Sequence, residues 1–489
     1  MNKKTSQKKV QRDFAKLLNE LRKKDGFLYY SHKHATGTIH LCYLKTAVDP
    51  DKLEKYILPR MQEYLYNDLI ELNDHIPFTK TELLNHPTQD QIQEKLVKGF
   101  VVIYMENVSP SYLLIPLPLD EKRQVTIPEV EFSVVGPKEA FVEDIDTNLN
   151  LIRQRLAIPE LKIQKLQVGT VTKTEVAVLS IDGIADEENI NTAVQRINDV
   201  QIDQVIDSSF IQQSIADNKN SPFPQLLDTE RPDRIASVLV EGKIAIVVDG
   251  SPHALLGPTT LIEFFSAFED YFLNWMTASA FRLIRFVAVF FSILITPVYV
   301  AVLTHHFEII PQAMLVTLVH SRMQVPFPPI LEALLLEFTI ELLREAGARL
   351  PTKIGQTIGI VGGIVIGTAA VEAGMTSNVL LIVVALAALG SFTTPVYKMS
   401  NTIRLIRFPL LIISHVYGLI GLAVAIAYIM VHLLRLTSLG RPFFAPIFPF
   451  RFQDFKDALI RLPFDKQNKR PYQVRSSDVK RPAANQHDK

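Results

Sequence analysis

Glu337, Glu341 and Glu345 recur every fourth residue in VPFPPILEALLLEFTIELLREAGARLP, a stretch at 325–351 with prolines at both ends. At helical spacing the three carboxylates share one face, with Glu332 offset and Arg344 three positions after Glu341. Leu335, Leu336, Phe338, Leu342 and Leu343 cover the remaining surface, so the helix is amphipathic. Such a stripe suits an interfacial helix whose acids are simply hydrated. It equally suits the mouth of a pore, where a ring of carboxylates concentrates cations.

The next segment, IGQTIGIVGGIVIGTAAV at 354–371, sets Gly355, Gly359, Gly363 and Gly367 along one face with Gly362 beside them. Without side chains on that ridge another helix can approach closely, held by backbone contact and Cα–H···O bonds. The partner is either a neighbouring helix of the same chain or further copies around a symmetry axis. In the second case Thr357, Thr368 and backbone atoms would line a narrow path.

Other chemistries find no support. There is no GxxxxGK[ST], GxGxxG or HExxH pattern and no defensible Ser/His/Asp grouping, so neither an enzyme nor a cofactor is expected. A single cysteine, Cys42, excludes an internal disulfide framework and a cysteine-rich zinc site. Lys+Arg and Asp+Glu number 51 each, so no global charge draws the 489-residue chain to nucleic acid. One acidic cluster, Glu139, Glu143, Asp144 and Asp146, precedes a helix bearing Arg153 and Arg155. Acids at a helix start match the macrodipole; four of them could instead coordinate a cation or pair with the basic residues of ERPDR (230–234).

These features need elements to carry them. Hydrophobic residues make up 48% of the chain, and nearly all long apolar runs fall between 286 and 434. The part before about 280 reads as soluble. There TGTIHLCYLKTAVDPDKL (36–53) and KTEVAVLSIDGIADEENI (173–190) each alternate as a strand and turn at an aspartate into a helix, with Asp49 and Asp186 137 residues apart. LVKGFVVIYMEN (96–107) and LVEGKIAIVVDG (239–250) match at an offset of 143, each with a glycine before a β-branched run. Two matches in the same order predict two copies of one α/β unit, unless common strand patterns coincide by chance. The charged, proline-rich stretch 119–137 reads as the linker, with a boundary near Gly136. NKNSPFPQLLDTERPDR (218–234) reads as a stiff loop, either a plain connection or a contact between subunits.

The basic N-terminus MNKKTSQKKVQRDF has no apolar run behind it, so the front half is expected to stay cytoplasmic. Spans are expected at 286–304, entering after Arg282 and Arg285, in the glycine-rich segment, at 378–394, and at 408–434; 309–319 is too short and is taken as re-entrant. Four crossings place the basic tail, Arg435 to Arg461, in the cytoplasm but leave Lys398, Arg404 and Arg407 on the wrong side. The expected fold is α+β and multi-domain: two duplicated α/β cytoplasmic subdomains (1–130 and 131–270), an α-helical polytopic membrane domain (271–440) and a basic tail (441–489).

GPKEAFVEDIDTNLNLIRQRL, SPFPQLLDTERPDR, the glutamate-bearing stretch and GQTIGIVGGIVIGTAAVEAG, in this order, resemble the A subunit of the spore germinant receptors of endospore-forming Bacillota. The similarity runs from about Gly136 to RLPF at 461–464. The resemblance implies a protein of the spore inner membrane acting with a B subunit similar to amino-acid transporters and a lipoprotein C subunit. It also implies self-assembly, as a pentamer, into a channel releasing monovalent cations, and two α/β subdomains at the N-terminus. A related sporulation membrane protein shares the membrane half.

Overall fold

Asp49 accepts a hydrogen bond from Lys52 N at 3.1 Å, and Asp186 from Glu188 N at 3.0 Å, each capping the helix that follows a strand. Gly99 and Gly242, the glycines of the second matched pair, both adopt left-handed backbone, with φ of 80° and 93°. The computed structural model describes residues 27–34, 37–44, 48–63, 69–74, 76–78, 81–85, 87–88, 91–92, 95–96, 99–105, 111–118, 127–350, 362–363, 365–463, 467 and 469–478. The chain divides into two units, Met1–Lys122 and Arg123–Lys489.

The first unit is built on strands β1 (Phe27–His34), β2 (Gly37–Leu44), β3 (Glu82–Asn85), β4 (Phe100–Met105) and β5 (Ser111–Pro116). They form one sheet in the order β1-β2-β4-β5-β3, every neighbouring pair antiparallel. Alternation sends Ile39, Leu41, Ile103 and Leu113 to one face, against Leu53, Ile57 and Met61. Cys42, Val102 and Leu114 go to the other, against Ile92 and Leu96.

The second unit begins with β6 (Leu161–Val168), β7 (Thr174–Ile181), β8 (Leu227–Thr229), β9 (Ile244–Val248) and β10 (Ala254–Gly257). Their order, β6-β7-β9-β10-β8, repeats that of the first sheet strand for strand. Helices α1 (Ile145–Arg155), α2 (Glu187–Asn198), α3 (Ser208–Ile215) and α4 (Pro232–Val240) cover it. Ala177, Leu179, Ala245 and Val247 pack under α1 and α4, while Val176, Val178, Ile244 and Ile246 pack under α2 and α3. The stretch 218–234 is not all loop: it supplies edge strand β8, and Pro232 starts α4, where its missing N–H costs nothing.

The rest of this unit is a helical bundle: α5 (Trp275–His305), α6 (Gln312–Arg322), α7 (Pro329–Arg349), helical residues at 362–363 and 365–372, α8 (Asn378–Phe392) and α9 (Tyr397–Arg435). Among the described residues, α5 and α9 are long and apolar enough to cross a membrane, and α8 is a shorter apolar helix.

The expected span at 408–434 is corrected by the shape of α9. Its backbone breaks at Gly418, with φ of 63° and ψ of −150°. On one side Thr402 Oγ1 donates to Pro222 O at 2.6 Å; on the other the ring of His432 lies 2.9 Å from Ser221 Oγ. A straight helix would separate Thr402 from His432 by about 45 Å. Both instead touch adjacent residues of one loop, so α9 is a hairpin of two antiparallel arms, with Leu410 packed against Leu422 and Ala425. At the bend His305 Nε2 donates to His415 O at 2.6 Å, taking over a carbonyl that a continuous helix would have satisfied.

Beyond α9 the chain folds back. Thr437–Ser438 and Arg441–Pro442 pair through a tight turn in which Leu439 and Gly440 have φ of 49° and 77°. Arg441 then binds Asp186 (2.6 Å) and Asn189 (2.8 Å), and Asn189 Nδ2 donates to Val474 O at 3.0 Å. The basic residues of the tail are therefore partly spent on the second sheet unit.

Candidate functional site

Pro329 at its first turn, Glu332 near its start and Arg349 in its last turn set the limits of α7, which buries Ile330, Ala333 and Leu336 in the bundle and leaves Leu331 and Leu342 exposed. The four acids run from buried to exposed along it: Glu332 is 0% exposed and Glu337 5%, whereas the side chains of Glu341 and Glu345 are 34% and 52% exposed. Each meets an arginine. Glu332 lies 2.8 Å from Arg322 Nη2 and accepts from Ser377 N at 3.0 Å, which fixes the start of α8. Glu337 accepts from Arg407 Nη1 at 2.7 Å and from Thr296 Oγ1 at 3.2 Å. Arg407 also donates to Ser292 Oγ (2.6 Å) and Ala387 O (3.3 Å), joining α5, α7, α8 and α9 at one point. Glu341 pairs with Arg344 and stands 3.7 Å from Arg404 Nε; Glu345 pairs with Arg349 at 2.6 Å.

Sequence spacing identified the acids and Arg344 beside Glu341, but not the partners Arg322, Arg349, Arg404 and Arg407. Arg404 and Arg407, expected to flank a span on the wrong side, are 8% and 2% exposed inside the bundle. The positive-inside tendency concerns charges left in loops, and these two are carried back inward by the first arm of α9.

The glycine segment is divided. Gly355 and Gly359 lie outside the described residues. A methyl group at Gly362 would come within 2.8 Å of Leu343 Cδ2, and one at Gly367 within 3.7 Å of Leu381, so this side rests on the bundle. At Gly363 it would meet no atom of the described residues within 4 Å, and Val365 and Ile366 beside it are 56% and 43% exposed.

The same end of the bundle is fastened to the second sheet unit. Arg282, fully buried, binds Asp270 and Asp457, each at 3.1 Å, and Arg285 binds Asp270 and the carbonyl of Phe265. Lys398 binds Asp228 at 3.2 Å. Asp217 receives Leu439 N at 2.9 Å and Gly440 N at 2.8 Å as well as Thr437 Oγ1 and Arg196. Burial pushes the Asp217 carboxyl up, but the bonds from Arg196, Thr437 and Gly440 outweigh it and hold it below the ordinary aspartate range.

The acids at the start of the second unit are structural. Asp144 caps α1 through Thr147 N at 2.7 Å, Glu139 pairs with Arg155, and Asp146 lies 3.4 Å from Lys165. Glu143 offers its backbone carbonyl to Gly250 N at 2.7 Å. The basic residues of ERPDR bind elsewhere. Arg234 pairs with Glu131 at 2.6 Å, and Arg231, 1% exposed, binds Asp233 and reaches Pro137 O at 3.1 Å. The linker is held by acids in turn, Glu230 accepting from Glu129 N at 2.8 Å and Glu269 from Val134 N at 3.0 Å.

Two antiparallel sheets share one strand order, and the second is followed in the chain by a helical bundle with an arginine–glutamate seam and, among the described residues, two helices long and apolar enough to cross a membrane. The sequence pattern of the Bacillus/Clostridium GerA spore germination protein family matches residues 15–473, and the chain belongs to that family. It is 47% identical over 460 residues to spore germination protein GerQA of Bacillus cereus, covering 94% of this chain and 92% of that one. Over 461 residues it is 38% identical to spore germination protein A1 of Bacillus subtilis, covering 94% of each. Among solved structures it is similar to the N-terminal domain of the A subunit of the Bacillus megaterium spore germinant receptor GerK3, at 40% identity and a TM-score of 0.21, covering 24% of this chain and 94% of that one.

Proposed function

We propose that several copies of this germinant-receptor A subunit pack around an axis in the spore inner membrane, as a pentamer, and form a gated path for monovalent cations. The observation that carries this is the bare side of Gly363: its helix rests on its own bundle through Gly362 and Gly367 and presents Gly363, Val365 and Ile366 outward. A backbone surface of that kind favours a second helix at close range. The two sheet units are copies of one ancestral α/β unit and lie on the cytoplasmic side. Six passes, by α5, α7, the glycine-bearing helix, α8 and the two arms of α9, replace the four expected, with α6 re-entrant. An even number returns the tail to the cytoplasm and removes the conflict over Lys398.

Within this reading the glutamates divide their work. Glu332 and Glu337 hold helices together, while Glu341 and Glu345, at the end of α7 nearest the sheet unit, gather cations. The subunit conducts rather than catalyses, and the nutrient signal reaches it from a B subunit resembling amino-acid transporters, with a C subunit lipoprotein completing the receptor. A non-conducting scaffold that docks those partners is favoured by one observation, that each acid of the stripe already has an arginine beside it.

The mass of the detergent-extracted full chain tests assembly. The wild type is expected as a multimer, and Gly363→Leu as smaller species with unchanged circular dichroism, because Leu at that position meets no atom of its own described chain within 4 Å of the new Cβ. A monomeric wild type, or a variant of undiminished mass, would overturn the proposal.

A further inference from the structure

Where α7, α8 and α9 meet, a cavity of ≈ 10 Å³ is lined by Glu337, Glu341, Arg344, Ser391, Arg404 and Arg407, among others. Three guanidinium groups face two carboxylates there, leaving one positive charge in excess. Arg404 and Arg407 are more than nine-tenths buried, and each keeps a buried Nε–H without an acceptor among the described residues. The nearest carboxylate oxygen to Arg404 Nε, Glu341 Oε2, stands at 3.7 Å, beyond hydrogen-bonding reach. A buried donor without an acceptor is costly, and a buried charge without a counter-charge is more so.

A water molecule would satisfy the donors and leave the charge. A monatomic anion does both. The space is at the threshold for one water-sized particle, so sulfate, phosphate and carboxylate ligands are excluded and a halide, somewhat larger than water, enters as the flanking arginine side chains give way. We propose that this cavity binds a single halide, chloride in the cell, between Arg404 and Arg407. The ion ties the first arm of α9 to α7 and α8 and favours the arrangement in which Arg407 pairs with Glu337. This holds whether or not the assembly conducts.

The full chain in detergent is melted in potassium chloride, potassium bromide and potassium gluconate at equal ionic strength, and chloride binding is followed by NMR line broadening. Chloride and bromide are expected to raise the melting temperature saturably by about 3 °C over gluconate, with chloride broadening that bromide reverses. Arg404→Gln, which removes the excess charge, should lose both effects, whereas Arg349→Gln on the exposed end of α7 should keep them. If Arg404→Gln fails to fold, the wild-type broadening and its reversal by bromide decide alone. Equal melting in chloride and gluconate without broadening would mean that only water occupies the cavity and would overturn the proposal. So would halide effects that persist in Arg404→Gln.

Discussion

Arg407 and Glu337 are each a liability without the other. Both are buried, and removing one leaves its partner's charge in a medium that cannot solvate it. Arg407→Ala is expected to cost about 3–5 kcal/mol, and replacing both residues by methionine to recover most of that loss. Chemical denaturation of the two variants in detergent measures the difference. Asp217 adds a pH dependence of definite sign. Its folded carboxyl titrates below its unfolded value, so the clasp on 437–440 contributes in full above the unfolded value and is lost as pH falls through the folded one. Asp217→Asn should cost about 2 kcal/mol at neutral pH and flatten that acid limb; an unchanged limb in a pH series of melts would sink the assignment.

At the scale of elements the bend in α9 decides how the bundle is threaded. Gly418 occupies backbone space open almost only to glycine, and a methyl group there would come within 2.8 Å of His306 Nε2. Gly418→Ala should therefore destabilise the bundle by about 1–3 kcal/mol, read as a lower denaturation midpoint; an unaltered midpoint would mean that the arms do not depend on this bend. Little of this was legible beforehand. Gly418 sits within VYGLIGLAV, where nothing polar marks a turn and glycine is common in apolar helices. Strands β2, β4, β7 and β9 were legible, because alternation and either a following aspartate or a preceding glycine act within a few residues. Strands β3 and β8, four and three residues long, are too short to show a period. Likewise the acids of α7 announced themselves by spacing. Arg404 and Arg407 did not, since only the return of α9 brings them opposite Glu341 and Glu337.

Across the second unit, one end of the bundle is fastened to edge strand β8, to the loop before it, to the segment 265–270 and to Asp457. Arg282 and Arg285 hold the start of α5, Lys398 and Thr402 the start of α9, and His432 with the Asp217 clasp its end. In the proposed channel a shift of the sheet unit would be felt at three helix ends at once and would bias the bundle between two packings. In the proposed ring that movement would open or close the path beside Gly363. The most direct test is potassium release from liposomes holding the purified full chain, alone and with its partner subunits. Release from the wild type is expected, weakened in the Glu341→Gln/Glu345→Gln double variant and absent or locked in Gly363→Leu. Liposomes that retain potassium under every condition would contradict the conducting role and leave a scaffold.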